Sequence, residues 1–332
     1  MAARRRGKKK SGRSYAWRYR GRIVACVFVE VIIICALVIM IGWNKGVKEW
    51  FEQFEQPVLK EVDISGINSP NAILMQARGG KILGEINGEA QIYPASMTKI
   101  MTVILGIENF DDLDEKITLT DEMFSGLYEQ DATQAGFQPG EEVRVIDLLY
   151  GAMLPSGAEC CIALADTISG SEADFAELMN KKARKLGMEN THFCDSTGLH
   201  NPDHYSTVKD IAVLMKYCIK NDTFREIVET SRHSTGVTNI HPDGITYYST
   251  MFKNLSDPTV TGGRILGGKT GYTSEAGHCL VSFAEIEGRE YIFVSAGASG
   301  ADGNTIPHIQ DAVTVYNRVG AAIEEKMNDN NK

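Results

Sequence analysis

The order of elements predicts an α+β protein. From Val145 to Val228 the apolar residues recur mostly at helical spacing, while from Arg264 onward the period shortens to the alternation of strands. A last amphipathic helix, Ile306 to Lys326, closes the chain. Helices first, then a sheet of consecutive strands flanked by terminal elements, is the α+β order rather than the alternating α/β one.

Taken from the start, residues 1–22 hold ten Lys/Arg and no acid, in a chain whose net charge is −9. The remainder is therefore strongly acidic, which argues against binding a nucleic-acid backbone. Residues 23–43 are almost unbroken Val, Ile, Ala, Leu, Met and Cys, long enough to span a bilayer. The basic block before them stays cytoplasmic by the positive-inside rule and sends the C-terminus across the membrane. The run ends Ile41-Gly42-Trp43 with no small-residue cleavage site, so it reads as an uncleaved signal anchor. Residues 44–57 form a charged stalk ending at Pro57, and a single domain is expected over 58–328.

Within that domain, Ala72–Ala77 and Lys81–Leu83 flank Arg78-Gly79-Gly80 and read as a β-hairpin. Lys116–Thr120 is a short extended edge. Thr207 with Asp210 caps a helix reaching Ile219. Strands are expected at Lys269–Tyr272, His278–Phe283 and Tyr291–Ala296, the last two joined by a Glu287-Gly288 turn. The seven Cys include no Cys-x-x-Cys, and His200 and His204 are separated by Pro202, so no metal site is expected and the thiols read as free and buried.

Chemistry concentrates in Tyr93-Pro94-Ala95-Ser96-Met97-Thr98-Lys99. Pro94 keeps Tyr93 out of the α region, so a helix begins just past it. Ser96 and Lys99 then sit three apart on one face of the first turn. A serine hydroxyl is a weak nucleophile until a base takes its proton, and a neutral lysine amine can be that base. Two further pieces follow in order, Ser156-Gly157-Ala158 ahead of an apolar helix and Lys269-Thr270-Gly271-Tyr272 on a strand.

Ser-x-x-Lys, a Ser-x-Asn-like triplet and Lys-Thr-Gly form the motif set of penicillin-binding proteins and serine β-lactamases. Phe175–Asn180, Leu186-Gly187-Met188, Gly198-Leu199, His204-Tyr205-Ser206-Thr207 and Ala276–Leu280 resemble the D-alanyl-D-alanine carboxypeptidases in particular. The resemblance runs from roughly Val58 to Val319. It implies an antiparallel sheet covered by helices, with an all-helical insert and the site between them. It implies Ser96 as nucleophile, Lys99 as base and Ser156 as proton relay to the leaving amine. Lys269, Thr270, Gly271 and Tyr272 would bind substrate, with Thr270 on the terminal carboxylate and the Ser96 and Tyr272 amides on the oxyanion. The implied substrate is the peptidoglycan stem peptide, with β-lactam antibiotics as acylating inhibitors, and no cofactor is implied.

Two positions depart from the family pattern. Ala158 stands where the family usually has Asn, whose amide bonds substrate and the lysine. His308 lies nearest the place of an Arg that helps with the carboxylate. A catalytically weak penicillin binder is therefore one alternative. A β-lactamase is another, with Glu177 and Asn180 loosely imitating the water-activating motif, although Glu177 fits better as the polar edge of a helix over Ala173–Leu186.

Overall fold

Alternation in the strands sets the layers. In the strand Asn71–Gln76, Ile73 and Met75 point into one apolar core while Ala72 and Leu74 point into another. The strand Gly277–Ile286 divides likewise, with Cys279, Val281 and Phe283 on one face and Leu280, Ala284 and Ile286 on the other. A sheet apolar on both faces must be covered on both, and here helices cover it. The structure, a computed structural model, describes residues 59–255, 257–300 and 306–330, all within the compact unit Val58–Lys332. The expected basic tail, membrane span and stalk lie outside the described residues. Among the described residues, no helix is long and apolar enough to cross a membrane.

In chain order the elements are β1 (Asn71–Gln76), β2 (Ile82–Ile86), a 3-10 turn (Ala95–Thr98) and α1 (Lys99–Asn109). β3 (Lys116–Thr118), β4 (Glu142–Arg144), α2 (Val145–Met153), α3 (Ala158–Ser169) and α4 (Glu172–Leu186) follow. Next come α5 (Val208–Cys218), α6 (Asp222–Glu229), β5 (Arg232–Ser234), β6 (Thr246–Tyr248) and α7 (Thr250–Asn254). The chain ends with β7 (Thr259–Val260), β8 (Gly263–Thr273), β9 (Gly277–Ile286), β10 (Arg289–Ala298) and α8 (Pro307–Asn330). The main sheet has the order β2-β1-β10-β9-β8-β7, every neighbouring pair antiparallel. This is the expected α+β architecture. The three C-terminal strands are longer than expected, running over Gly263–Thr273, Gly277–Ile286 and Arg289–Ala298, and their added ends still bury Ile265, Ile286 and Ala298.

Helices α1 to α6 bury against one face, around Met101, Leu148, Leu164, Phe175 and Leu214. Helix α8 covers the other with Ala312, Val315, Tyr316 and Val319. Thr207 caps α5 by accepting from the Asp210 amide at 3.0 Å. The Asp210 carboxylate instead takes Asn190 N and Thr191 Oγ1, so the cap is one-sided. Cys160, Cys161, Cys218 and Cys279 are buried free thiols, with Cys194 half-buried, as expected.

Candidate active site

The predicted nucleophile turn is tighter than a standard helix start. Ala95 takes a left-handed φ of 46°, and Ala95–Thr98 then winds as a 3-10 turn before α1 begins at Lys99. With three residues per turn, positions i and i+3 stack directly, which favours the Ser96–Lys99 pairing. Lys99 Nζ donates to Ser96 Oγ at 3.1 Å and to the Thr197 carbonyl at 2.7 Å. Lys99 is only 4% exposed, so its amine is held rather than solvated.

Ser156 arrives at the end of α2, in the short link to α3, with φ 74°. A non-glycine residue there costs on the order of 1–3 kcal/mol and must be held by its surroundings. The flanking amides do that, Gly157 N bonding Gly151 O and Ala158 N bonding Thr133 O, each at 2.8 Å. Glu159 ties the same segment from the next turn, its Oε1 accepting from Ala135 N at 2.6 Å and Gly136 N at 2.9 Å. Burial pushes the Glu159 carboxyl up, and Oε2 has no partner.

From the sheet side, Lys269 Nζ donates to Ser156 Oγ at 3.0 Å and to the Thr270 carbonyl at 2.9 Å. Lys269 is fully buried; desolvation, then the neighbouring Lys99, hold its amine well below the ordinary lysine range. Thr270 Oγ1 meets Thr250 Oγ1 of α7 at 2.7 Å. Gly271 passes the nucleophile turn so closely that a Cβ there would lie 3.1 Å from the Ser96 amide. Tyr272, next along, is exposed at the cleft rim. All seven predicted residues thus converge from four elements: the 3-10 turn, α1, the α2–α3 link and β8.

The loop 194–198, for which no site role is expected from its pattern, holds Lys99 through the Thr197 carbonyl. Asp195 Oδ1 accepts from Thr197 N, Thr197 Oγ1 and Gly198 N, each at 2.7 Å. Its Oδ2 faces His204 Nδ1 at 3.1 Å, and His204 Nε2 lies 2.9 Å from Thr98 Oγ1 inside the nucleophile turn. Burial alone would raise the Asp195 carboxyl, but His204, Thr197 and Gly198 outweigh it and hold it at about 2. His204 is thus a loop residue, as expected, yet it braces the site. Glu177 stands exposed on α4, and Asn180 is engaged with Phe193 N and O at 2.8 Å, so neither forms a water-activating pair. Among the described residues, no cluster of His, Cys, Asp and Glu could hold a metal ion.

A family model, D-alanyl-D-alanine carboxypeptidase (Peptidase S11), matches residues 58–300. The chain belongs to the D-alanyl-D-alanine carboxypeptidase family. It is 35% identical over 231 residues to the D-alanyl-D-alanine carboxypeptidase DacF of Bacillus subtilis, covering 69% of this chain and 57% of the relative. It is 33% identical over 262 residues to the carboxypeptidase DacC of Escherichia coli, with 71% and 58% covered. The chain thus spans less than two thirds of the length of these two relatives. The Streptomyces K15 DD-transpeptidase crystal structure superposes with a TM-score of 0.69 at 29% identity, covering 79% of this chain and all of that one. In this carboxypeptidase family member the helical layer, the antiparallel sheet and the cleft between them follow that architecture.

Proposed function

We propose that this chain is a membrane-anchored serine D,D-carboxypeptidase that removes the terminal D-alanine from peptidoglycan stem peptides. The observation that carries the reading is the pair of lysine–serine contacts, Lys99 to Ser96 and Lys269 to Ser156, set side by side in one cleft. Ser96 Oγ attacks the scissile carbonyl while Lys99 Nζ accepts its proton. The oxyanion forms beside the Ser96 and Tyr272 amides, where one well-placed donor is worth about 3 kcal/mol. Ser156 passes a proton to the departing nitrogen, the peptide bond breaks, and D-alanine leaves an ester on Ser96. Water then hydrolyses the ester and restores the serine. Lys269, buried beside Ser156, steers its hydroxyl. Thr270 receives the substrate's terminal carboxylate.

Ala158 favours a second reading, a penicillin-binding envelope protein with little turnover. Its buried methyl can donate no hydrogen bond to substrate or to Lys99. An assay of D-alanine release alongside fluorescent-penicillin labelling separates the readings. The carboxypeptidase does both, the binder is labelled without release, and a β-lactamase sheds its label within seconds.

A further inference from the structure

One buried carboxyl next to the cleft takes no part in the reaction as written. Glu159, in the first turn of α3, is 0% exposed, and its Oε1 accepts from Ala135 N at 2.6 Å and from Gly136 N at 2.9 Å. Its Oε2 lies against the residue that follows Ser156. A Cβ built on Gly157 would sit 3.0 Å from that oxygen and 2.7 Å from the Ala135 Cβ. The same crossing is closed one residue on, where Ala158 N donates to the Thr133 carbonyl at 2.8 Å. Glu159 therefore pins residues 133–136 against both residues that follow Ser156. Burial pushes its carboxyl up, and what opposes the burial is backbone amides, those of Gly136, Ala135 and Phe137 among them, rather than a cation. A carboxyl buried on amides alone is a costly way to gain stability. What its two bonds do supply is a fixed place for the loop.

We propose that Glu159 is a positioning residue for the proton relay: by holding residues 133–136 against Gly157 and Ala158, it fixes the left-handed turn at Ser156 and with it the aim of the Ser156 hydroxyl. The inference rests on the reading of Ser156 as relay for its consequence, but not for its geometry. Ser156 keeps a φ of 74° although it is not a glycine, and its Oγ accepts from Lys269 Nζ at 3.0 Å. Such a residue leaves the left-handed region once its surroundings release it. Its hydroxyl would then swing away from the line between Lys269 and the departing nitrogen, and small misplacements of that kind cost a reaction ten- to a hundredfold. Gly157 N remains bonded to Gly151 O at 2.8 Å whatever stands at position 159, so losing the carboxyl loosens the turn without dissolving it. Glu159 touches neither lysine and neither serine of the cleft. Its effect must therefore pass through Ser156, which makes the effect separable from a general loss of structure.

The test is a double-mutant cycle on the full-length chain in detergent, with acylation by a fluorescent penicillin as the readout. A concentration series separates the non-covalent affinity from the acylation rate constant. Glu159→Met, similar in size and without acceptors, should lower the rate constant at least tenfold and leave the affinity within about twofold. In a Ser156→Ala background the same change should slow acylation less than about twofold further, because there is no hydroxyl left to aim. Glu159→Gln keeps a neutral oxygen in place and should slow acylation about threefold, again only where Ser156 is present. That milder variant decides the matter where the Met chain does not fold. Equal slowing in both backgrounds, or no slowing beside Ser156 with melting temperature intact, overturns the inference. Ser156→Ala acylated as fast as the native chain removes the relay, and the inference with it. A chain that is labelled in this pattern but releases no D-alanine leaves the inference standing and removes the carboxypeptidase reading instead.

Discussion

Gly198 lies against the carbonyl of Ala95 with no room for a side chain: a Cβ built on it would sit 1.9 Å from Ala95 O. Its φ of 80° excludes most other residues independently. The loop that supplies the Thr197 carbonyl to Lys99 therefore also presses on the residue before Ser96. Gly198→Ala should displace the nucleophile turn, destabilise the fold by about 2 kcal/mol or more, and slow penicillin acylation at least tenfold. Thermal melts and labelling time courses on the same sample check both effects.

Ser96 should be the single residue that penicillin acylates. Ser96→Ala should fold and remain unlabelled, since loss of one part-buried hydrogen bond costs only about 1 kcal/mol. Lys99→Ala should label orders of magnitude more slowly, because the base is gone while the hydroxyl stays. Peptide mapping that finds the label on any other serine removes the assignment.

Asp195 should make stability depend on acid. Its folded pKa, about 2, lies below the unfolded value near 3.8. The stabilisation is thus fully present above about pH 4 and is lost as pH falls toward 2, with a size of about 2 kcal/mol. Asp195→Asn should melt lower at neutral pH, and its deficit should shrink as the solution is acidified through that window. A deficit that stays constant with pH would show that the charge is not what stabilises the loop.

What the sequence disclosed was what local pattern can carry. The i, i+3 spacing of Ser96 and Lys99, the helix ending before Ser156 and the strand bearing Lys269 are each set within a few residues, and each stands where the pattern put it. The brace around Lys99 is different. Asp195, Thr197 and His204 share no period, and Pro202 speaks only for a loop; what joins them is a tertiary approach of the 194–204 segment to α1 that no neighbouring residue encodes. The same holds for Glu159, whose helix position gave no hint of its bonds to Ala135 and Gly136. It holds too for the β5–β6 pair, three residues a strand, too short for alternation to register.

Ala158→Asn should raise the rate of D-alanine release roughly ten- to a hundredfold, the equivalent of one or two hydrogen bonds at about 1–1.5 kcal/mol each. Penicillin labelling should change less, because ring strain makes acylation less dependent on positioning. Ala158 is fully buried at the start of α3, so overpacking can oppose the gain by about 1–3 kcal/mol. Melting temperature measured beside the rate separates the two. If stability is intact and release is no faster, another group fills the role.

Protease added to intact protoplasts should digest the domain beyond residue 57, as the basic tail and apolar span require. Digestion only after lysis would reverse the proposed orientation.

The centre of the sheet joins the two ends of the domain: Asn71 of β1 pairs with Ala296 of β10, and all the helices of one layer are strung between them. A chain emerging N-terminus first can assemble α2 to α6 from near neighbours, but β1 has no partner on its inner edge until the last hairpin has been made. Such distant pairing is slow, because the loop must close before the contact rewards it. Until then β1 and β2 are a bare hairpin with an open edge, the form of strand most prone to join another chain. Completion of the main sheet is therefore an end-of-synthesis event, and a chain cut short before β10 leaves the β8–β9 hairpin that carries Lys269 unjoined to β1 and β2.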